Sequence, residues 1–133
     1  MKWIAYAAVV LGGLFSLLMG LGAVLSPESL GEALGVAAAS DTGRSTLRAD
    51  LGTFFLVSAV ASIRALLSRE PHWLYGAALI YGSAATLRTL DAIIASAPEG
   101  IVVSIGVEIV LCAGFLFSAV QLGRIEATAR TPG

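Results

Sequence analysis

Residues 3–25 read WIAYAAVVLGGLFSLLMGLGAVL and contain no Asp, Glu, Lys or Arg. A run of roughly 20 apolar residues is the length of helix that crosses about 30 Å of hydrocarbon. Because lipid offers the backbone no hydrogen-bond partners, such a segment satisfies its own peptide groups as an α-helix. The run is also longer than the roughly 7–15-residue core of a signal peptide, so we expect it to be retained as a first span.

Three further stretches have the same apolar character, and with the first they predict four spans. We place these at residues 3–25, 47–68, 73–96 and 101–122. The composition agrees, because 57% of the 133 residues are hydrophobic and 13% are charged, whereas soluble domains carry about 25% charged residues. The sequence therefore predicts one all-α domain over residues 1–133, an antiparallel bundle of four transmembrane helices. A net charge of −1 provides no basic surface for nucleic acid.

The connections between the spans differ in length. The first opens with Ser-Pro-Glu at residues 26–28, which is a helix start signal. An apolar face follows, formed by Leu30, Ala33, Leu34, Ala37 and Ala38. We expect a short interfacial helix here, either a lid over a pocket or a plain connector. Residues 41–43, 69–71 and 98–100 are predicted as turns, and the last two would make neighbouring helices antiparallel.

The basic residues predict the orientation, since cytoplasmic connections carry an excess of Lys and Arg. With four spans, one side of the membrane receives Lys2, Arg64, Arg69, Arg124 and Arg130. The other side receives Glu28, Glu32, Asp41, Arg44 and Glu99. We therefore expect both termini in the cytoplasm.

Ionisable residues in or beside the spans are the strongest functional signal, because charge within a membrane is costly and usually has a role. They are Arg48, Asp50, Arg88, Asp91 and Glu108. Arg88 and Glu108 lie on either side of the turn at residues 98–100. At 1.5 Å per residue, both lie about 12 Å below the helix ends, which places an Arg–Glu pair at one level of the outer leaflet. Asp91 shares a helical face with Arg88.

Two interpretations of this charge cluster stay open at this point. It is a structural network that fixes one packing arrangement, or it is a functional pocket whose surplus acid is protonated, binds a cation or faces water. Tyr81, Ser104 and Cys112 fall on the same helical stripes and would add polar groups. Such a pocket suits a lipid, a quinone-like molecule or another amphiphile.

The first span also carries small residues at four-residue spacing, namely Ala8, Gly12, Ser16 and Gly20. This pattern permits close approach of helices. It predicts close packing at Gly12, Ser16 and Gly20, either inside the bundle or between two copies of the chain.

Most standard chemistries are absent from the sequence. One Cys and one His do not make a Cys/His zinc site within one chain, and no phosphate-binding loop, dinucleotide fingerprint or nucleophile elbow is present. We expect no metal and no cofactor. Asp91 and Glu108 are the candidates for an acid/base pair if the protein is an enzyme.

The sequence LRADLG at residues 47–52, followed by Phe54 and Phe55, with Arg88 and Glu108 on later spans, resembles a family of small bacterial membrane proteins. That family is known as domain of unknown function 4345, and its pattern has a smaller neutral residue in place of Asp50. The resemblance covers nearly the whole chain and implies a four-helix protein of the bacterial cytoplasmic membrane. It implies no activity.

Three functions are compatible with the sequence. The first is a non-enzymatic membrane subunit that binds an amphiphile or a partner helix at the charged cluster, alone, as a homo-oligomer or within a larger membrane complex. The second is an intramembrane acid/base enzyme, an isomerase or cyclase acting on a hydrophobic substrate. The third is a small proton-coupled transporter, although such transporters carry their key acid on the first span and this first span has none.

Overall fold

The computed structural model of the chain describes residues 1–95 and 100–130, and side chains up to residue 128. Its helices are α1 (Lys2–Leu25), α2 (Pro27–Ala33), α3 (Asp41–Leu67), α4 (Trp73–Ile94) and α5 (Ile101–Arg130). All of these except α2 are long and apolar enough to cross a membrane. The predicted all-α architecture of four spans with a short helix after the first is confirmed.

Two of the helices extend beyond the predicted spans. Helix α3 begins at Asp41 rather than at 47, so residues 41–43 form its first turn instead of a separate turn. The reason is an N-cap, in which the Ser40 hydroxyl accepts a hydrogen bond from the Gly43 backbone N–H at 3.1 Å. Helix α5 continues to Arg130 instead of ending at 122.

Helix α2 starts at Pro27 as predicted but ends at Ala33, so the apolar face expected to run to Ala38 is wrong. The chain turns back at Gly35, which has a φ of 75°. In this turn the Val36 N–H donates to the Gly31 carbonyl at 2.7 Å. A Cβ on Gly31 would lie 2.6 Å from the Val36 carbonyl oxygen, so only glycine fits there.

The connection between α3 and α4 contains the turn predicted at residues 69–71. Arg69 adopts a φ of 54°, and the Glu70 carboxylate accepts hydrogen bonds from the Trp73 indole at 3.1 Å and the Ser68 hydroxyl at 3.2 Å. These two bonds, the Trp73 one foremost, hold the pKa of Glu70 below its usual value. Of the turn predicted at residues 98–100, Pro98 and Glu99 lie outside the described residues.

The four long helices form a ring in which α1 packs on α3 and α5, and α4 packs on the same two helices from the opposite side. Helices α1 and α4 therefore face each other across a diagonal. Because neighbours are antiparallel, the bundle has two distinct ends. We call the end that carries α2 the α2 end, and the opposite end, where α1 begins and α5 finishes, the terminal end.

The small residues of α1 are used inside this bundle. Gly12, Ser16 and Gly20 are all buried. A Cβ on Gly12 would lie 2.8 Å from the Phe115 ring, and one on Gly20 would lie 2.6 Å from Leu56. The first of the two predicted uses, close packing within one chain, is the one that the structure shows.

Tyr81 lies at the centre of the bundle and connects α4 with α1, the helix diagonally opposite. Its hydroxyl is 2.7 Å from the Ser16 hydroxyl on α1. Its ring contacts Phe54 at 5.2 Å and Phe115 at 5.9 Å between centroids. We call Phe54, Tyr81 and Phe115 the aromatic layer. Towards the terminal end, the space beyond this layer is filled by buried side chains such as Val9 and Leu74.

Candidate functional site

A cavity of about 360 Å³ lies between the aromatic layer and the α2 end. Most of its lining is apolar: Phe15, Met19, Leu34, Leu51, Phe54, Phe55, Ala84, Val103 and Val107. Its polar lining is Asp50, Tyr81, Arg88, Ser104 and Glu108. An apolar chamber of this size with a few converging polar groups has the form of a small-molecule binding site.

The Arg88–Glu108 pair predicted from the helical positions is present in this cavity. The Arg88 Nε donates to the Glu108 Oε1 at 2.8 Å, which joins α4 to α5. Glu108 is buried, with 8% of its surface exposed. Its second oxygen, Oε2, is buried and has no hydrogen-bond partner among the described residues. A buried carboxylate oxygen without a donor is unfavourable, so this atom is open to a hydrogen bond from a donor beyond the described residues.

Arg88 is only partly engaged by this ion pair. Within the described residues, its single hydrogen bond runs from Nε, which leaves the two terminal nitrogens of the guanidinium for another acceptor. Its side chain is 38% exposed, so these nitrogens are also accessible. The pair therefore presents donors and an acceptor side by side.

Asp50 is the third charged residue of the cavity, contributed by α3. It is exposed and forms no ion pair with any residue that the structure describes. With Asp50 and Glu108 against Arg88, the formal charge around the cavity is −1. The charged end of the cavity thus favours a cationic or hydrogen-bond-donating group.

The other two residues of the predicted cluster lie elsewhere. Arg48 and Asp91 are exposed and do not line the cavity. At about 100° per residue, Arg48 lies about 200° around α3 from Asp50, on the opposite face of the helix. Asp91 is on the side of Arg88 but nearer the helix end, beyond the cavity lining. The structure therefore brings together three of the five predicted charges.

Among the neighbouring polar residues, Tyr81 and Ser104 line the cavity, but Cys112 does not. Cys112 instead lines shallow grooves on the outer side of α4 and α5. Phe15 and Met19 on α1 also line the cavity, although the sequence did not predict them there. They immediately precede Ser16 and Gly20, so they lie on the helical face next to the small residues. Their place in the bundle could have been predicted from that position. The position of Leu34 could not be predicted in this way, because it depends on the turn after α2.

No group of three His, Cys, Asp or Glu side chains that could hold a metal ion occurs in the part of the chain that the structure describes. Comparison of the chain with family models, with curated proteins and with solved structures finds no match. The resemblance to domain of unknown function 4345 stays a prediction.

Proposed function

We propose that this multi-pass membrane protein is a non-enzymatic binding protein for an amphiphilic ligand, whose polar head lies beside Glu108. One observation carries the proposal: Glu108 Oε2 is buried in a binding-sized cavity and lacks a donor among the described residues. A ligand donor would satisfy this oxygen, and a charge-assisted hydrogen bond is stronger than a neutral one. The apolar remainder of the lining suits the ligand's hydrocarbon part.

The charge pattern narrows the chemistry of the head group. Glu108 and Asp50 offer acceptors, and Arg88 offers unused donors a short distance away. A head that carries both an ammonium and a phosphate matches this pattern, with the ammonium at the carboxylates and the phosphate at the guanidinium. An aminophospholipid is such an amphiphile and is a suitable probe.

Two features favour binding over the alternatives. Asp91 is outside the cavity that holds Glu108, so the acid/base pair proposed for an enzyme does not share a substrate site. The aromatic layer fills the bundle next to the cavity, whereas a transporter needs a path to both sides of the membrane. Binding of an amphiphile requires neither a pair of acids in one site nor a path across the membrane.

Replacing Glu108 with glutamine tests the proposal. In nanodiscs of equal parts phosphatidylethanolamine and phosphatidylglycerol, we expect the native protein to retain phosphatidylethanolamine preferentially. We expect E108Q to lower that retention about tenfold, because the side chain keeps its size but loses its charge. Native mass spectrometry of the released protein measures the bound lipid.

The matched control is Asp91→Asn, which removes an acid of α4 outside the cavity and should leave retention unchanged. Equal retention by E108Q and the native protein would refute the proposed function. An equal loss of phosphatidylethanolamine from E108Q and from Asp91→Asn would show that acidic charge in the membrane, not the cavity, determines the lipid preference.

We also propose that the protein resides in a bacterial cytoplasmic membrane with both termini in the cytoplasm. The terminal end of the bundle carries Lys2, Arg64, Arg69 and Arg124. The α2 end carries Glu28, Glu32 and Asp41, with Arg44 paired to Glu28 and Asp41. This asymmetry supports the orientation under the positive-inside rule.

Cysteine labelling checks this orientation in a Cys112→Ser background. Ala39 at the α2 end and His72 at the terminal end are both exposed. We expect a membrane-impermeant maleimide to label A39C in intact spheroplasts, and H72C only after permeabilisation, since one side alone is accessible. The reverse pattern would invert the topology and place the cavity in the inner leaflet.

A further inference from the structure

The outer surface of α3 has an unpaired positive charge on one flank and an unpaired negative charge on the other. In the ring of helices, α3 packs on α1 and on α4, so its outer surface lies between these two neighbours. Arg48 on α3 and Asp91 on α4 are both exposed. Neither forms an ion pair with any residue that the structure describes. Both side chains can therefore pair with a group outside the chain.

Arg48 lies on the flank of α3 next to α1. It is four residues from Gly52, or about 40° around the helix. Gly52 lies against α1, since a Cβ there would be 3.5 Å from Val24. Phe55, seven residues from Arg48 and about 20° around the helix, contacts Phe15 of α1 at 6.3 Å between ring centroids. The Arg48 side chain thus leaves α3 beside α1, at one edge of the outer surface.

Asp91 lies on the flank of α4 next to α3. It is eighteen residues from Trp73, which is five full turns, so the two residues share one stripe of the helix. Trp73 faces α3, where the Arg64 Cζ lies 5.7 Å from the centroid of its ring. Thr89, on the other side of α4, lines a groove shared with α5. Asp91 therefore borders the outer surface of α3 from the edge opposite to that of the α1 flank.

The two charges lie at the same level of the bundle. Counted from Glu70 in the connection between α3 and α4, Arg48 is 22 residues away and Asp91 is 21 residues away. In antiparallel helices these counts place the two residues within about 1.5 Å of one level. Asp50, about 200° around α3 from Arg48, adds a second carboxylate near this level on the flank next to α4. One flank is therefore positive and the other negative at the same depth.

A surface with opposite charges on its two flanks is complementary to a second copy of itself. A two-fold axis along the membrane normal, in front of α3, brings the positive flank of each copy to the negative flank of the other. Two equivalent pairs of Arg48 with Asp91 result. A charge on the lipid-facing side of a spanning helix is unfavourable unless it finds a partner or reaches the head groups. Pairing between copies provides each of these side chains with a counter-ion.

The residues between the flanks suit contact between helices. Thr53, Val57 and Val60 are exposed along one stripe of α3, at spacings of four and three residues. Their branched side chains are restricted at χ1, so they lose little freedom when they pack. The Thr53 hydroxyl forms no hydrogen bond with the described residues, whereas those of Ser58 and Ser62 donate to carbonyls of α3. A two-fold axis would bring the two Thr53 hydroxyls together, and such groups commonly hydrogen-bond between membrane helices.

We propose that the partner of this surface is a second copy of the chain, in a two-fold homodimer with α3 against α3 and Arg48 of each copy paired with Asp91 of the other. Opposite, unpaired charges at one level carry the proposal, and the unbonded Thr53 hydroxyl supports it independently. The dimer does not depend on lipid binding, because neither Arg48 nor Asp91 lines the cavity.

Exchange of the two charges tests the pairing. Donor- and acceptor-labelled proteins, each labelled at A39C in a Cys112→Ser background, are reconstituted together in liposomes, and energy transfer measures their association. Arg48→Glu makes acids face acids, and Asp91→Arg makes guanidinium groups face each other. Each variant alone should associate at least about tenfold more weakly than the native pair. Mixed with one another, the two variants should regain the native energy transfer, because each contact of the mixed dimer again joins an acid to a base.

Val60→Trp tests the same surface without changing a charge. Val60 is 55% exposed on α3, so the larger ring should hold two copies apart and abolish energy transfer. The matched control is Val110→Trp on α5, where the valine is 71% exposed and energy transfer should stay native. Absence of energy transfer between native copies, or equal transfer in the native protein and V60W, would overturn the dimer. Native association combined with no recovery in the mixture of R48E and D91R would overturn the pairing of Arg48 with Asp91.

Discussion

Arg88→Leu is expected to lower the free energy of unfolding by about 2 kcal/mol, less than the roughly 3–5 kcal/mol lost when one partner of a fully buried ion pair is removed, because the Arg88 side chain is 38% exposed. The reason lies in Glu108, which is buried and receives its ion-pair hydrogen bond from Arg88. Without the guanidinium, both carboxylate oxygens would be buried without a donor from the described part of the chain. Equilibrium unfolding of the protein in mixed micelles of dodecyl maltoside and dodecyl sulfate measures the change.

The double variant Arg88→Leu, Glu108→Leu is the control for this prediction. Replacing a whole buried pair with apolar side chains is often neutral or stabilising, so the double variant should recover most of the lost stability. It should still fail to retain the aminophospholipid, because the polar end of the cavity is gone. A single variant as stable as the native protein would show that Glu108 does not depend on this pair.

Gly20→Ala is expected to lower the free energy of unfolding by about 2 kcal/mol. The added Cβ would lie 2.6 Å from Leu56 Cδ2, 2.8 Å from its Cγ and 3.2 Å from its backbone nitrogen. Because a backbone atom is among these contacts, a rotamer change alone does not relieve the overlap and α1 must move away from α3. Overpacking costs up to about 3 kcal/mol, and the higher helix propensity of alanine offsets about 1 kcal/mol of it.

Gly22→Ala provides the comparison within the same helix. Its Cβ would meet Leu30 at 3.9 Å, which is an ordinary contact. We expect this variant to be as stable as the native protein or more stable, by up to about 1 kcal/mol. The same unfolding measurement applies to both. Equal stability of the two variants would mean that α1 and α3 do not depend on their close approach at Gly20.

The helices and the central ion pair could be predicted from the sequence because both depend on short-range rules. Apolar runs of membrane-crossing length predict the four spans, and antiparallel neighbours joined by a tight turn bring Arg88 and Glu108 to one level. The helical repeat also predicts that Gly12, Ser16 and Gly20 share a face, which the structure buries. None of these predictions requires knowledge of the angle of a helix about its own axis.

The remaining parts of the site depend on that angle. Whether Arg48 or Asp50 faces the cavity is decided by the angle of α3 about its axis, and the small residues of α1 restrict this angle through contacts such as Gly20 with Leu56. Similarly, Leu34 reaches the cavity because the chain turns at Gly35 after only a short α2. The cavity is a gap between helices, so no single stretch of sequence encodes it.

The aromatic layer makes the site one-sided. Phe54, Tyr81 and Phe115 occupy the middle of the bundle, and the hydrogen bond between Tyr81 and Ser16 ties the two diagonal helices together directly beneath the polar groups. Under the proposed function, a molecule held beside Glu108 therefore departs on the same side of the bilayer from which it arrived. In this conformation the aromatic layer lies between the cavity and the terminal end, so translocation would require Tyr81 to release Ser16.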